Sequence, residues 1–105
     1  MGVIEINKDT IAEAISSNSI VAIKFYSSTC SVCELLLPVL EEVSQDRKEV
    51  VFYKIKTDQN MSVCMTYRVL SVPTILIFKD GVVVEKLSGF KTKDEIEETI
   101  NKIDI

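Results

Sequence analysis

Short apolar runs alternate along the chain with longer stretches whose apolar residues recur every three or four positions. The short runs are rich in Val, Ile, Tyr and Phe, which is typical of strands buried within a sheet. Lys24 interrupts the second run, which is otherwise apolar. These runs predict strands at 3–6, 20–26, 50–57, 73–78 and 82–87.

Capping signals and helical spacing predict helices between these strands. The pairs Thr10 with Glu13 and Thr92 with Glu95 have the spacing of a capping box, in which each side chain accepts a hydrogen bond from the other residue's backbone N–H. Asp58 can accept a similar bond at the start of a short helix. The helices predicted in this way run from about 10 to 17, from 58 to 67 and from 92 onward.

The longest predicted helix covers about 30–47. Leu36, Leu40 and Val43 lie on one face of it and form an apolar stripe that can pack on a sheet. Pro38 falls inside this helix and should kink it, because proline has no backbone N–H to donate.

The order of the elements is β-α-β-α-β-α-β-β-α, which predicts an α/β fold. Two strands joined through a helix are expected to be parallel. Asp80-Gly81 is a strong hairpin signal, so the last two strands should be antiparallel. We therefore expect one domain, residues 1–105, with a central mixed sheet of about five strands flanked by four helices that lie on both faces.

Composition narrows the possible functions. The 105 residues are 47% hydrophobic and 27% charged, with a net charge of −4, which argues for a folded core and against disorder. No basic patch is visible, so nucleic acid is not an expected partner. No signal peptide or membrane-spanning apolar run is visible either, and we expect a monomer in the cytoplasm.

Cys30 and Cys33 are the candidate chemical site. They stand three residues apart where a predicted strand passes into the long helix, so their sulfurs share one helix face and can form a disulfide. The helix N-terminus favours the thiolate of Cys30, which is the nucleophilic form. A redox-active pair is the favoured interpretation.

Alternatives remain open for each cysteine. The pair could be a structural disulfide or half of a metal site, but zinc usually has four Cys or His ligands. The chain has three cysteines and no histidine, so a closed site would need a second chain or carboxylates, and we predict no metal. We expect Cys64, the third cysteine, to be a buried and inert thiol, with a regulatory or dimer-forming thiol as the alternative.

Several separated motifs resemble the thioredoxin family, and the similarity extends over essentially the full chain. Val72-Pro73-Thr74 resembles the cis-proline loop of that family. Pro38 stands five residues after Cys33, as the family's helix-kinking proline does. The other matching segments are 25–33, which leads into the cysteines, 54–60, which forms the third strand and its exit, and Gly89 after the last strand.

The resemblance implies a thioredoxin fold and a thiol–disulfide oxidoreductase that reduces disulfides in proteins without a bound cofactor. Cys30 would attack the substrate disulfide, and Cys33 would resolve the mixed disulfide. Electrons would come from an NADPH-dependent flavoprotein reductase. The residues implied to contact the substrate are Thr29, Ser71, Val72, Pro73 in its cis form, and Gly89.

The chain departs from the family pattern around the cysteines. Thr29 replaces the usual tryptophan, which removes a flat apolar contact surface. Ser31-Val32 replaces Gly-Pro, so the first helical turn is less rigid and gains an amide that can donate toward a sulfur. We predict a less strongly reducing couple than that of a Gly-Pro thioredoxin. The competing functions are a binding module that has lost turnover and an oxidant sensor that uses Cys64.

Lys24 is the sharpest departure, because it aligns with the family's buried acid, and Lys54 aligns with that acid's lysine partner. Two facing ammonium groups repel, so one should turn to solvent. We expect Lys24 to extend outward, with solvent carrying the Cys33 proton. The alternative is a buried Lys24, which could act as a neutral base or, when charged, favour the Cys33 thiolate.

Overall fold

The computed structural model of the protein describes residues 2–103. Five strands and four helices follow one another in the predicted order, with a short 3-10 turn at Thr57–Gln59. The elements are β1 (Val3–Ile6), α1 (Ile11–Ser16), β2 (Ile20–Tyr26), α2 (Ser31–Asp46), β3 (Val50–Lys56), α3 (Met61–Thr66), β4 (Thr74–Lys79), β5 (Val82–Ser88) and α4 (Lys93–Ile103).

The strands form one mixed sheet in the order β1-β3-β2-β4-β5. β1 and β2 both pair in parallel with β3, whereas β4 is antiparallel to β2 and β5 is antiparallel to β4. The predicted mixed five-stranded sheet is therefore confirmed. β2 lies at its centre, and the side chains from position 20 to 25 are all buried, as expected for a strand with a neighbour on each side.

Helices cover both faces of the sheet, as predicted. One apolar cluster packs α1 and α3 on one face, and a second packs α2 and α4 on the other. In α2, Leu36, Leu40 and Val43 are each almost fully buried, and the helix continues without interruption through Pro38. Within residues 2–103, no helix combines the length and the hydropathy that crossing a membrane requires.

The hairpin between β4 and β5 turns at Asp80 and Gly81. Their φ angles are 52° and 84°, so both residues adopt the left-handed conformation that a two-residue hairpin turn requires. Glycine adopts this conformation without steric cost, and aspartate tolerates it better than most residues. The Asp-Gly signal in the sequence is confirmed.

Of the predicted capping boxes, one forms and one does not. Thr92 and Glu95 exchange hydrogen bonds of 2.9 and 3.2 Å between side chains and backbone N–H groups. Thr10 instead accepts from the backbone N–H of Asn7 at 3.0 Å and makes no cap bond to the helix. Its ψ of −7° is already helical, whereas a capping side chain needs an extended backbone to reach the first helical amides.

The predicted cap at Asp58 is wrong. Asp58 lies in the 3-10 turn, and α3 begins only after Asn60. The side chain of Asn60 is buried, accepts from the Lys8 backbone N–H at 2.8 Å and donates to the Lys56 carbonyl at 2.7 Å. The extra turn moves Asp58 away from the helix terminus.

Candidate active site

The two cysteines of the candidate site stand where β2 passes into α2. Cys30 has an extended backbone, with φ −94° and ψ 105°, and occupies the N-cap position of α2. Its Sγ accepts a hydrogen bond from the Cys33 backbone N–H at 3.1 Å. The predicted position at the helix N-terminus is thus confirmed. The observed donor is the Cys33 amide, and within residues 2–103 the Val32 amide makes no such bond.

A disulfide joins Cys30 to Cys33, and their Cα atoms are 5.2 Å apart, within the usual range for disulfides. The two halves differ in exposure. Cys33 is 2% exposed, whereas Cys30 is only partly buried. A partner molecule that approaches from solvent therefore meets Cys30 first.

Strand register brings the predicted docking loop to the same end of the sheet as the cysteines. Phe25 pairs with Thr74, and Thr74 pairs with Ser88. The segments that immediately flank these residues consequently share one edge. They are the active-site loop at 27–30, the loop at 71–73 and Gly89.

Pro73 and Gly89 are held together at this edge. The Val72–Pro73 peptide bond is cis, and the Gly89 N–H donates to the Pro73 carbonyl at 2.8 Å. Gly89 has φ +82°, which favours glycine. The Thr74 hydroxyl donates to the Ser71 carbonyl at 2.8 Å and fixes the other end of the loop.

The residues that surround the disulfide differ widely in exposure. Thr29, Ser31, Val32 and Ser71 are exposed, Val72 is partly buried, and Pro73 is buried. The exposed residues can meet a partner directly, whereas Pro73 is buried and offers a partner little surface.

Two exposed apolar side chains that the sequence pattern does not single out lie beside the 71–73 loop. Met61 is 61% exposed and Leu70 is 93% exposed. Together with Ser71 and Val72, they line a pocket of about 220 Å³. Nothing in their spacing distinguishes them from core residues, because their exposure depends on the irregular path of the chain after α3.

The active-site loop is also tied to the exit of β3. The Ser28 hydroxyl donates to the Asp58 carboxylate at 2.7 Å. This bond stabilises the ionised carboxylate and lowers the pKa of Asp58. Asp58 therefore anchors the loop that precedes Cys30, a role that its predicted function as a helix cap did not include.

Lys24 does not extend to solvent, so the prediction of an outward amino group is wrong. The residue is 2% exposed, and its Nζ donates to the Cys33 carbonyl at 3.3 Å. The physical reason is the position of β2, whose side chains are covered by packed helices on both faces. Burial, and then the positive charge of Lys54, lowers the pKa of Lys24 from 10.5 to about 8.

The aromatic ring of Tyr26 lies next to the amino groups of both Lys24 and Lys54. The Nζ atoms of Lys24 and Lys54 are 5.2 and 5.9 Å from the centre of its ring, a distance at which a ring face attracts cations. The Tyr26 hydroxyl donates to Glu5 at 2.7 Å. Burial and then this bond raise the pKa of Tyr26. Lys54 is partly buried, and its Nζ lies against the same ring as that of Lys24.

These groups enclose a pocket of about 180 Å³ on the inner side of the disulfide. It is lined by Lys24, Tyr26, Cys33, Lys54 and Lys56, together with residues of the active-site loop and α2. The predicted tuning residues Lys24 and Lys54 are thus brought together with Cys33, which no local motif in the sequence could show.

Cys64 does not line the pocket beside Cys33, but it does line the pocket beside the 71–73 loop. It lies in α3, is 5% exposed and forms no disulfide. Burial raises the pKa of its thiol, which disfavours the reactive thiolate. Its predicted burial is confirmed.

A disulfide between cysteines three residues apart, at the start of a helix and at the edge of a mixed sheet beside a cis-proline loop, defines a thiol–disulfide oxidoreductase. The sequence model of the Thioredoxin family matches residues 2–102. The chain belongs to the thioredoxin family, and its protein-disulfide reductase chemistry resides in the Cys30–Cys33 pair.

Individual relatives agree with this assignment. The chain is 36% identical to a thioredoxin of Mycoplasmoides gallisepticum over 94 residues, covering 90% of this chain and 94% of the relative. It is 39% identical to a thioredoxin of Bacillus subtilis over 97 residues, covering 90% and 91%. A solved structure of a mutant thioredoxin from Halobacterium salinarum superposes with a TM-score of 0.89 at 28% identity, covering 95% of this chain and 88% of that one.

Proposed function

We propose that the protein is a monomeric cytoplasmic reductase of protein disulfides in which Cys30 is the nucleophile and Cys33 the resolving cysteine. The observation that carries this assignment is the unequal exposure of the two sulfur-bearing residues. Cys30 is partly exposed at the N-cap of α2, whereas Cys33 is 2% exposed. An intermolecular attack needs an accessible sulfur, whereas an intramolecular attack does not.

The reaction takes place in two exchange steps. The Cys30 thiolate attacks one sulfur of the substrate disulfide, forms a mixed disulfide and releases the other substrate sulfur as a thiolate, which takes a proton from solvent. The Cys33 thiolate then attacks Cys30 Sγ. The Cys30–Cys33 bond forms, the bond to the substrate breaks, and the second substrate sulfur leaves with its electron pair.

The substrate segment docks in an extended form along the 71–73 loop. Within residues 2–103, neither the N–H nor the carbonyl of Val72 makes an intramolecular hydrogen bond, so both can pair with a substrate backbone as an added strand would. Thr29, Ser71 and Gly89 border this path, and Pro73 shapes it.

Each turnover leaves the protein oxidised, so a reductant must return two electrons. We assign this role to an NADPH-dependent flavoprotein reductase. Thr29 and the Ser31-Val32 pair differ from the family pattern at the exposed surface around Cys30. A reductase that serves this protein must therefore accept a surface without the usual tryptophan.

Trapping of a mixed disulfide tests the assignment of roles. Cys33→Ser, mixed with a disulfide-containing protein, should accumulate a covalent complex through Cys30 that dithiothreitol releases. Cys30→Ser should form no such complex, and Cys64→Ser in the Cys33→Ser background serves as the matched control and should trap normally. A dithiothreitol-sensitive complex that forms equally with Cys30→Ser would contradict the assignment of Cys30 as the nucleophile. A complex that forms with both variants and involves no covalent bond would favour a binding module.

A further inference from the structure

Lys24 is a buried cation with few partners. An ammonium group carries three donors, and the structure gives Nζ one acceptor, the Cys33 carbonyl at 3.3 Å. Among residues 2–103, no carboxylate lies within the 4.0 Å that defines an ion pair with this atom. A buried charge is usually paired, because its desolvation is otherwise uncompensated.

The surrounding charges do not supply the missing partner. Lys54 on β3 adds a second positive charge, and Tyr26 on β2 presents its ring face. Glu5 on β1 accepts from the Tyr26 hydroxyl, and Glu41 on α2 accepts from the Gly2 backbone N–H at 3.1 Å. Both acids therefore already have partners and act on Lys24 only over a distance.

The remaining neighbours of Lys24 do not change the balance of charge around it. Ile75 on β4, which pairs with Lys24 across the sheet, is apolar and 1% exposed. At the pocket, Glu34 and Lys56 carry one charge of each sign. The oxidised protein thus holds an excess of positive charge on the inner side of its disulfide.

Reduction introduces a new group into the same pocket. Cys33 lines it together with Lys24, and the Lys24 Nζ already binds the carbonyl of Cys33. A disulfide sulfur carries no charge, but the sulfur released by reduction can become an anion. That anion forms beside a cation which lacks a partner.

We propose that Lys24 is a positioning residue for the resolving cysteine, whose thiolate is the anionic partner that the buried ammonium lacks in the oxidised protein. This inference rests on the proposed function of Cys30 and Cys33 as an exchanging pair. The ammonium stabilises the Cys33 thiolate and so raises the fraction of the resolving cysteine that can attack Cys30.

Reduction leaves each cysteine of the pair with its own electron pair. A dithiol reductant delivers two electrons and is itself oxidised to a disulfide, while the Cys30–Cys33 bond breaks. Cys33 is released as a thiolate beside the Lys24 ammonium, Cys30 is released as a thiolate or, with one proton, as a thiol, and the remaining protons of the reductant pass to solvent. When the Cys33 thiolate later attacks Cys30 Sγ in the mixed disulfide, the substrate sulfur leaves with the electron pair and is protonated by solvent. Lys24 then loses its anionic partner, and burial again keeps its pKa below the ordinary value of a lysine.

Titration of Cys33 tests the proposal directly. In a Cys30→Ser background, cysteine Cβ shifts followed by NMR report the Cys33 thiol pKa. Replacing Lys24 by Met should raise this pKa by about one unit, which lowers the thiolate fraction at neutral pH about tenfold. Lys24→Arg keeps a permanent positive charge and should retain most of the depression.

The matched control is Lys79→Met. Lys79 is a partly buried lysine of the sheet whose Nζ, like that of Lys24, donates to a backbone carbonyl, that of Ile103 at 3.2 Å. It pairs with Ile20, at the end of β2 far from the cysteines. Its replacement should leave the Cys33 titration unchanged. An unchanged titration in Lys24→Met, or an Arg variant that behaves like the Met variant, would overturn the proposal.

The wild-type protein separates failure of this inference from failure of the proposed function. If the Cys30–Cys33 pair exchanges with glutathione but the Cys33 thiol pKa is the same with and without Lys24, only the proposed role of Lys24 is wrong. If the wild-type pair does not exchange at all, the proposed function itself is wrong. Lys24→Met is expected to fold, because it replaces a buried charge with an apolar chain of similar length.

Discussion

The two sides of the Cys30–Cys33 disulfide are different environments. On the outer side, Cys30 caps a helix among exposed residues such as Thr29 and Val32, which is 42% exposed. On the inner side, Cys33 and Lys24 are each 2% exposed. The outer sulfur therefore lies next to solvent and the helix N-terminus, whereas the inner sulfur lies next to buried or partly buried charged side chains.

This difference separates two tasks that one pair of cysteines must perform. In the proposed reaction, the outer sulfur has to meet the substrate, so access and the shape of its surroundings determine its rate of attack. The inner sulfur reacts only with Cys30 in that proposal, so the fraction of Cys33 that is thiolate determines its rate of attack. Substitutions on the outer side should change which substrates react, and substitutions on the inner side should change pH dependence.

The largest effect should come from a substitution on the inner side of the disulfide, and it should be a change in the free energy of unfolding. The Lys24 pKa of about 8 in the folded protein lies below its ordinary 10.5, so the buried ammonium destabilises the fold at pH values below 8. This penalty disappears as the pH rises from 8 to 10.5, where the unfolded chain also loses its proton. Lys24→Met should raise the free energy of unfolding of the oxidised protein by about 2 kcal/mol at neutral pH.

Denaturant unfolding of both proteins at several pH values checks this expectation. The gain from Lys24→Met should shrink toward pH 10.5, and Lys79→Met again provides the control. A gain that does not depend on pH would show that packing, and not charge, is responsible.

The dipeptide between the cysteines should give the next largest effect. Ser31→Gly combined with Val32→Pro restores the family's usual pair and removes the flexible first turn of α2. We expect the couple to become more reducing by about tenfold in its equilibrium with glutathione, which corresponds to about 30 mV for two electrons. Alkylation of the equilibrated thiols followed by mass spectrometry measures this shift. An equal or higher potential would refute the role of the dipeptide.

A smaller effect should follow from loss of apolar surface on the outer side. Leu70 is 93% exposed beside the 71–73 loop, so Leu70→Ser should not unfold the protein. The rate of reduction of a protein disulfide should fall about fivefold, since one apolar contact contributes roughly 1 kcal/mol, while a small disulfide should react at the same rate.

The control for Leu70 lies at the opposite end of the sheet. Val82 is 63% exposed and pairs with Lys79 at the hairpin turn. Val82→Ser should leave both rates unchanged. If Leu70→Ser slowed the small disulfide as much as the protein substrate, its role would be in the chemistry of Cys30 and not in docking.

The smallest effect is expected at Cys64, which lines the pocket beside the 71–73 loop but not the pocket that contains Cys33. It is buried, and burial raises its thiol pKa. Cys64→Ala should leave the Cys30–Cys33 equilibrium unchanged, and peroxide should produce no dimer through this residue, as non-reducing electrophoresis would show. A peroxide-induced dimer that Cys64→Ala abolishes would support the oxidant sensor.

Local sequence spacing is sufficient to predict a structural feature wherever the contacts that determine that feature are local. Three features depend only on neighbours within a few residues. They are the separation of Cys30 and Cys33 by one helical turn, the hairpin at Asp80 and Gly81, and the apolar runs that form the strands. These features were predicted, and the structure confirms them.

The errors concern residues whose role depends on distant parts of the chain. Lys24 was expected to reach solvent, but β2 lies at the centre of the sheet and its side chains are enclosed. Asp58 was expected to cap α3, but the 3-10 turn directs it to Ser28, 30 residues away. The exposure of Leu70 likewise depends on the path of the loop between α3 and β4. Predicting contacts of this kind requires the register of the whole sheet, which local sequence spacing does not provide.

Equilibration of the wild-type protein with defined ratios of reduced and oxidised glutathione tests the central claim most directly. Acid quenching, alkylation and mass spectrometry then locate the labelled thiols. We predict that Cys30 and Cys33 gain labels together, along one reversible two-electron transition, while the state of Cys64 does not change. A pair that stays in a single state at every ratio, or a transition that involves Cys64, would contradict the account.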